Sequence, residues 1–163
     1  MLAAELGAAC GLSETELVDL RLSAAFHDVG KIGVPDKVLL KPATLADDEW
    51  DTMKAHSELG ERIIYAMGLP HPQPVASTVR HHHECFDGGG YPDGLSGEHI
   101  PLASRILLIV DCYDAVTTTR MYHRRFSHSQ AMKMLKSEAG EKSDPRILGI
   151  FEQVIENSSA RTQ

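Results

Sequence analysis

Apolar residues in this chain recur at spacings of three and four along most of its length and nowhere alternate with a sustained period of two. Leu2 to Ala9 mixes Leu and Ala with Glu and stops at Gly11, which predicts a short first helix. Ser13 followed by Glu16 is a capping box, so a second helix starts there. Its stripe of Leu17, Leu20 and Ala24, extended by steps of three and four, reaches His27 and Asp28 before Gly30 and Pro35 end it. Thr44 with Asp47 resembles another cap, opening a helix with Trp50, Met53 and His56 on one face. That helix is expected to bend and run on through Ile63 and Ile64 to Gly68. Three prolines between Leu69 and Pro74 predict a loop, after which Val75, Val79, His82 and His83 share a helical face.

Glu84 to Pro101 carries five glycines and two prolines and reads as a long structured loop, of a length that is usually functional or disordered. Ala103, Leu107, Val110, Asp111 and Asp114 line one side of the next helix. Ser127 with Gln130 caps another that ends at Gly140. Asp144-Pro145 opens the last, with Ile147, Phe151, Val154 and Ile155 inward, and the polar residues 156–163 are expected to fray. The pattern predicts an all-α, single-domain bundle of about six to seven helices.

Composition narrows the function classes. The 163 residues suit one domain, and 42% hydrophobic with 24% charged residues excludes a disordered or low-complexity chain. No apolar run approaches the ~18 residues of a membrane span, so no membrane role is expected. Sixteen basic against 23 acidic residues give a net charge of −7, which argues against duplex nucleic acid as a partner but is compatible with a small anionic ligand held by metal ions. The three cysteines have no C-x-x-C spacing, so neither a disulfide framework nor a thiolate zinc site is expected, and a reducing, cytoplasmic setting is the simplest reading.

Nine histidines change the picture, because six of them fall between Met53 and His99. His27, Asp28, His56, His82, His83 and Asp111 each extend a stripe that is otherwise apolar. A lone histidine on an apolar face is more often a satisfied core residue than a ligand. Six such groups on the inward faces of four helices cannot be desolvated together without a partner, and a divalent metal accepts imidazole and carboxylate in one cluster. Four histidines and two carboxylates exceed one tetrahedral ion and suit two ions: iron, manganese, zinc or nickel, among which the residues do not choose. His71, His99 and His128 lie in loops or at a helix start and read as solvated, and His81 as exposed on the far side of its helix.

At these residues the chain resembles a known family. His27-Asp28-Val29-Gly30-Lys31-Ile32-Gly33 is similar to the H-D-I-G-K-I-G signature of HD-superfamily metal phosphohydrolases. His82-His83-Glu84, followed by Asp87-Gly88-Gly89-Gly90-Tyr91-Pro92, resembles the signature of the HD-GYP group. Met53-Lys54 with His56, and Asp111-Cys112-Tyr113-Asp114-Ala115, resemble its intervening M-K-x-H and D-x-x-D-A elements. The resemblance, running from about Leu12 to Phe151, implies an HD-type bundle with a long Gly-rich GYP loop and a bacterial phosphodiesterase of cyclic di-GMP, with mixed cyclic dinucleotides as a further substrate class. It implies two divalent ions, iron or manganese before zinc or nickel, held by His27, Asp28, His56, His82, His83 and Asp111, with Asp28 bridging.

The same resemblance implies Lys31, Tyr91 and Arg120 as substrate contacts, with Gly88, Gly90 and Asp114 beside them and Asp28 and Lys31 as catalytic groups. Water activated between the ions would attack phosphorus in line, giving pGpG and then GMP. Glycines 88 to 90 are expected to bring backbone close to the ligand and to adopt positive φ. Cys85 departs from the family's H-H-E-R, and Thr119-Arg120-Met121-Tyr122-His123 departs from its D-R-x-Y-R, with Arg124 and Arg125 as candidate replacements for a lost basic residue. Residues 1–156 are expected to form the domain, with 157–163 a polar tail, and the chain begins too late to carry the family's upstream ligand-bearing helix. It therefore resembles an excised catalytic domain without a third ion, with a regulatory domain or a second copy as candidate partners. Two alternatives stand beside this reading: a weakly active or inactive metal- and nucleotide-binding signalling module, and an HD phosphohydrolase acting on another nucleotide.

Overall fold

A computed structural model of the chain describes residues 1–118 and 126–161. In chain order its helices are α1 (Leu2–Ala9), α2 (Glu14–Phe26), α3 (Asp36–Leu39), α4 (Asp47–Lys54), α5 (His56–Ala66), α6 (Gln73–His81), α7 (Leu102–Thr117), α8 (His128–Ser137) and α9 (Pro145–Asn157). Short 3-10 turns at Val29–Gly33 and Gly97–His99 interrupt the first and second long connections. No strand occurs among the described residues, only an isolated bridge between Ala139 and Ser143. The all-α expectation holds; the nine helices among the described residues become eight when α4 and α5 are taken as one bent helix, and seven when the four-residue α3 is also set aside.

Caps fix most of the boundaries. Glu16 Oε2 accepts the Ser13 N–H at 2.8 Å while Ser13 Oγ accepts from Glu16, and Ser127 with Gln130 repeats the exchange at α8. Asp144, 1% exposed, caps α9 through the Arg146 N–H and also accepts from Arg105 Nη1 at 2.8 Å, which pins α9 to α7. The cap expected at Thr44 is displaced by two residues: Ala46 is the N-cap, and Glu49 accepts its N–H. Pro74 belongs to the first turn of α6 rather than to a loop, since a missing N–H costs nothing there. α8 ends at Ser137, and Gly140 sits three residues beyond it in a turn with φ +87°.

Two apolar clusters organise the helices. Leu6, Leu20, Ile106, Ile109, Tyr113, Leu135, Phe151 and Ile155 are buried between α1, α2, α7, α8 and α9. Ile64, Val75, Ala76 and Val79, with Leu22, Phe26 and Leu69, seat α5 and α6 against α2. Burial of this kind stabilises by about 1.5–3 kcal/mol per large side chain. It fixes the C-terminal ends of α2 and α6, the start of α5 and the middle of α7 at one place.

Candidate metal centre

The residues singled out by the stripes occupy helix ends more than helix faces. α2 stops at Phe26, so His27 is its C-cap and Asp28 leads into the 3-10 turn. α4 stops at Lys54 and the chain breaks at Ala55, so His56 begins α5. His82 is the C-cap of α6, His83 follows it, and Asp111 lies inside α7. Gly30 allows the turn to lie on α5: a Cβ there would stand 1.9 Å from the His56 carbonyl oxygen. Its value is this close approach, not the left-handed φ of a helix terminator, which Gly30 does not adopt.

The six side chains converge. Single ligand atoms of Asp28, His56, His82 and His83 all lie within 4.8 Å of one another. His27 Nε2 is 3.7 Å from both Asp28 Oδ2 and Asp111 Oδ1, and His56 Nε2 is 3.7 Å from Asp28 Oδ1. Asp28 thus turns one oxygen to His56 and the other to His27. Lys31 Nζ donates to Asp28 Oδ2 at 2.6 Å. His56 and His82 form the buried floor, each 1% exposed, while the His27, Asp28, Lys31 and Asp111 side chains are partly open.

Hydrogen bonds fix how the imidazoles are presented. His27 Nδ1 donates to the Ala24 carbonyl, His56 Nδ1 to Met53 and His82 Nδ1 to Val79, at 2.9, 2.7 and 2.6 Å. A carbonyl only accepts, so each Nδ1 carries the hydrogen, and His56 and His82, kept neutral by burial, each turn an Nε2 lone pair inward. The His56 and His82 Nε2 atoms stand 3.4 Å apart in a buried site. Two facing lone pairs repel unless a cation lies between them. Two nitrogens about 2.0–2.1 Å from one tetrahedral ion stand about this far apart, so the donor set fits a divalent metal.

Protonation is the weaker way to relieve that repulsion. Burial, only partly offset by the Val79 hydrogen bond, pushes His82 down to about 4, and burial with the neighbouring His82 and His56 charges pushes His83 to about 2. Burial also lowers His56. Asp28 and Asp111 are buried enough to be raised, yet Lys31 outweighs this for Asp28 and His27 for Asp111, and both carboxyls end below the ordinary range. Neutral His56, His82 and His83 beside ionised carboxylates are what a hard or borderline cation requires, while for His27 burial is outweighed by Asp111 and Asp28, which raise it.

The loop after His83 is folded onto the site from outside. Glu84, 1% exposed, accepts the backbone N–H groups of Asp93 and Leu95 at 2.7 and 3.0 Å. Asp93 in turn takes a two-nitrogen grip from Arg80 and a contact from His81 at 2.8 Å, while Arg80 also reaches Glu61. His81 is therefore engaged, not exposed as expected, because Asp93 returns to its side of α6. His128 is likewise not solvated: its Nδ1 meets Tyr113 Oη at 3.0 Å and its Nε2 meets Glu156 at 3.2 Å. His81, Glu84 and Asp93 are also close enough to hold a cation, but the Asp93 and Leu95 N–H groups already occupy Glu84, and Arg80 and His81 already occupy Asp93.

This folding brings Tyr91 over His83, ring centroids 4.9 Å apart. Of glycines 88 to 90 only Gly88 has positive φ, +90°, and the open side of Gly90 is filled by the backbone of His83 to Cys85. Asp114 is exposed one turn beyond Asp111. Arg120, with Arg124 and Arg125, lies outside the described residues. Glu84 stood in the sequence motif without a role; its early position in a Gly-rich loop was the available signal. Trp50, read with Met53 and His56 as one helical face, is 47% exposed on a helix that buries none of its residues.

The family model described as HD domain matches residues 1–147. A protein of Xanthomonas campestris named cyclic di-GMP phosphodiesterase response regulator is 41% identical over 138 residues, 85% of this chain and 36% of the relative. A Thermotoga maritima protein named cyclic di-GMP phosphodiesterase is 36% identical over 86% of the chain and 38% of its own length. A Vibrio cholerae protein named 3'3'-cGAMP-specific phosphodiesterase 2 is 34% identical over 86% of the chain and 27% of its own length. The chain thus spans between about a quarter and two fifths of these relatives. The crystal structure of a cyclic GMP-AMP phosphodiesterase of V. cholerae superposes over 96% of this chain and 42% of its own with a TM-score of 0.75 at 20% identity, which shows a shared fold. No helix among the described residues is long and apolar enough to cross a membrane.

Proposed function

The chain belongs to the HD-domain family, and from that premise we propose that it is a divalent-metal-dependent phosphodiesterase that opens cyclic di-GMP to pGpG and cuts this further to GMP. One observation carries the metal: two buried Nε2 lone pairs, His56 and His82, face each other at 3.4 Å beside the Asp28 carboxylate. The names of the relatives supply the substrate class.

His27, Asp28, His56, His82, His83 and Asp111 would hold two ions, iron or manganese before zinc or nickel, with Asp28 as the carboxylate shared between them. Bound there, the ions would supply Lewis acidity toward the phosphoryl group and toward water. The chain's own part is preorganisation. The Ala24, Met53 and Val79 carbonyls hold Nδ1–H on three imidazoles, so no ring must change tautomer to serve as a ligand. Lys31 keeps its ammonium at the open side of Asp28, where it neutralises charge on a non-bridging phosphoryl oxygen. Tyr91 lies half-buried over His83, and burial with the Asp28 and Asp111 charges holds its phenol well above neutrality, so Oη keeps its proton and donates. Gly88 and Gly90 shape the loop that carries Tyr91, the exposed Asp114 contacts substrate at the rim, and Arg120 is a further substrate contact.

Incubation of protein loaded separately with manganese, iron or zinc with cyclic di-GMP, and with 3'3'-cGAMP in parallel, tests this by chromatography of the products. The reading expects pGpG and GMP, abolished by chelation and restored by metal. Absence of product from either dinucleotide with every metal overturns it. Binding without turnover would mark the site as a signalling module instead.

A further inference from the structure

We propose that Trp50, standing beside Tyr91, is a stacking platform for a purine base of the bound nucleotide and so a substrate-binding residue. This deepens the phosphodiesterase reading and rests on it. Trp50 sits on α4, and its indole is half-exposed although no residue of that helix is buried. The ring meets Tyr91 edge to face, centroids 6.3 Å apart and planes at 76°. Tyr91 leans at 31° over His83 and also meets His56. A row of rings therefore leads out of the imidazole–carboxylate cluster, from His83 through Tyr91 to Trp50.

A T-shaped contact covers at most one face of the indole and leaves the other free. A nucleotide has the matching shape, with a base joined through one ribose to the phosphate. A phosphate at the cluster, where Lys31 supplies positive charge, places its base one ring outward along this row. Every base has a π-face, so an aromatic face accepts it without demanding a sequence, and a large purine gains most. The chain's net charge of −7 gives a nucleotide no general electrostatic attraction, which makes local stacking more useful for affinity.

The chain contains a single tryptophan, so its intrinsic emission reports on this position alone. Manganese-loaded protein is titrated with GMP and, separately, with ribose 5-phosphate, which has the phosphate and sugar but no base. GMP is expected to quench and shift the emission in a saturable way while ribose 5-phosphate leaves it unchanged. An equal response to both, or none to GMP, overturns the platform. In steady-state hydrolysis of cyclic di-GMP, Trp50→Ala is expected to raise KM by about 5- to 150-fold, the worth of one base–aromatic stack, with a smaller change in kcat. Trp50→Phe should recover most of that loss, and circular dichroism checks that both variants keep their helix. Wild-type turnover with an unchanged KM in Trp50→Ala would refute the platform and leave the phosphodiesterase reading standing. Base-dependent quenching in a protein that turns over no dinucleotide would do the reverse.

Discussion

Gly30→Ala tests how the centre is built, because the obstacle to the new methyl group is backbone on every side. An ideal Cβ at Gly30 falls 1.9 Å from the His56 oxygen, 2.6 Å from the Gly60 nitrogen and 2.8 Å from the His56 carbonyl carbon. No rotamer change relieves such contacts. Moving from 1.9 Å to ordinary contact at 3.4 Å means parting the 3-10 turn from α5 by about 1.5 Å. His56 opens α5 and Asp28 opens the turn, so the parting separates two of the closest ligand candidates. A functional constellation tolerates about 0.5 Å. Overpacking commonly costs about 1–3 kcal/mol, and rigid backbone on both sides places this case at the top of that range. In a chain of this length about 3 kcal/mol lowers Tm by about 6–12 °C, within the margin of a domain that is stable by about 5–15 kcal/mol.

Thermal melts of the metal-free proteins followed by circular dichroism read the first effect, and elemental analysis after metal loading reads the second. Gly149→Ala is the control: its Cβ meets nothing within 4 Å on the exposed side of α9. It should raise Tm by about 1–4 °C through helix propensity, with metal content unchanged. A Gly30→Ala protein that melts within about 1 °C of wild type and loads a full complement of metal would refute the close-approach argument.

Three further outcomes are expected. Asp28→Asn should lose nearly all bound metal with helicity kept, whereas Asp111→Asn should keep roughly one ion, since Asp28 turns an oxygen toward each of His27 and His56 and Asp111 faces His27; equal losses would refute the bridging role. Glu84→Gln should destabilise the loop by about 1–3 kcal/mol, because an amide NH2 then faces a backbone N–H, and Gly-rich loop cleavage in limited proteolysis should rise while metal content holds; an unchanged digestion pattern would count against the clamp. Arg80, ahead of a smaller contribution from His81, holds the Asp93 carboxyl down at about 2. Its contribution to stability is therefore whole above the unfolded value of about 3.9 and is lost as pH falls through about 2. The Tm gap between wild type and Asp93→Asn should be flat from pH 7 to 5 and close below pH 4, and a gap that stays open to pH 2 would contradict the ion pair.

What the chain determined locally was read from it directly. The Ser13–Glu16 and Ser127–Gln130 exchanges and the Asp144 cap depend on side chains reaching backbone two or three residues away, so spacing alone placed those helix starts. The six ligand candidates were legible because each put a polar group where a stripe called for an apolar one, and burying them separately would be costly. Long-range packing decided the rest. Trp50 shares a helical spacing with His56, yet α4 buries none of its residues and Trp50 stays exposed beside Tyr91. Gly30 looked like a terminator, but its missing Cβ serves an approach to His56, 26 residues away, that no local rule contains. Glu84, Asp93, Arg80 and His81 became a clamp only once the loop returned to α6. Caps and stripes are short-range and encoded in spacing, whereas close approach, loop return and the facing of two Nε2 lone pairs depend on which helices meet.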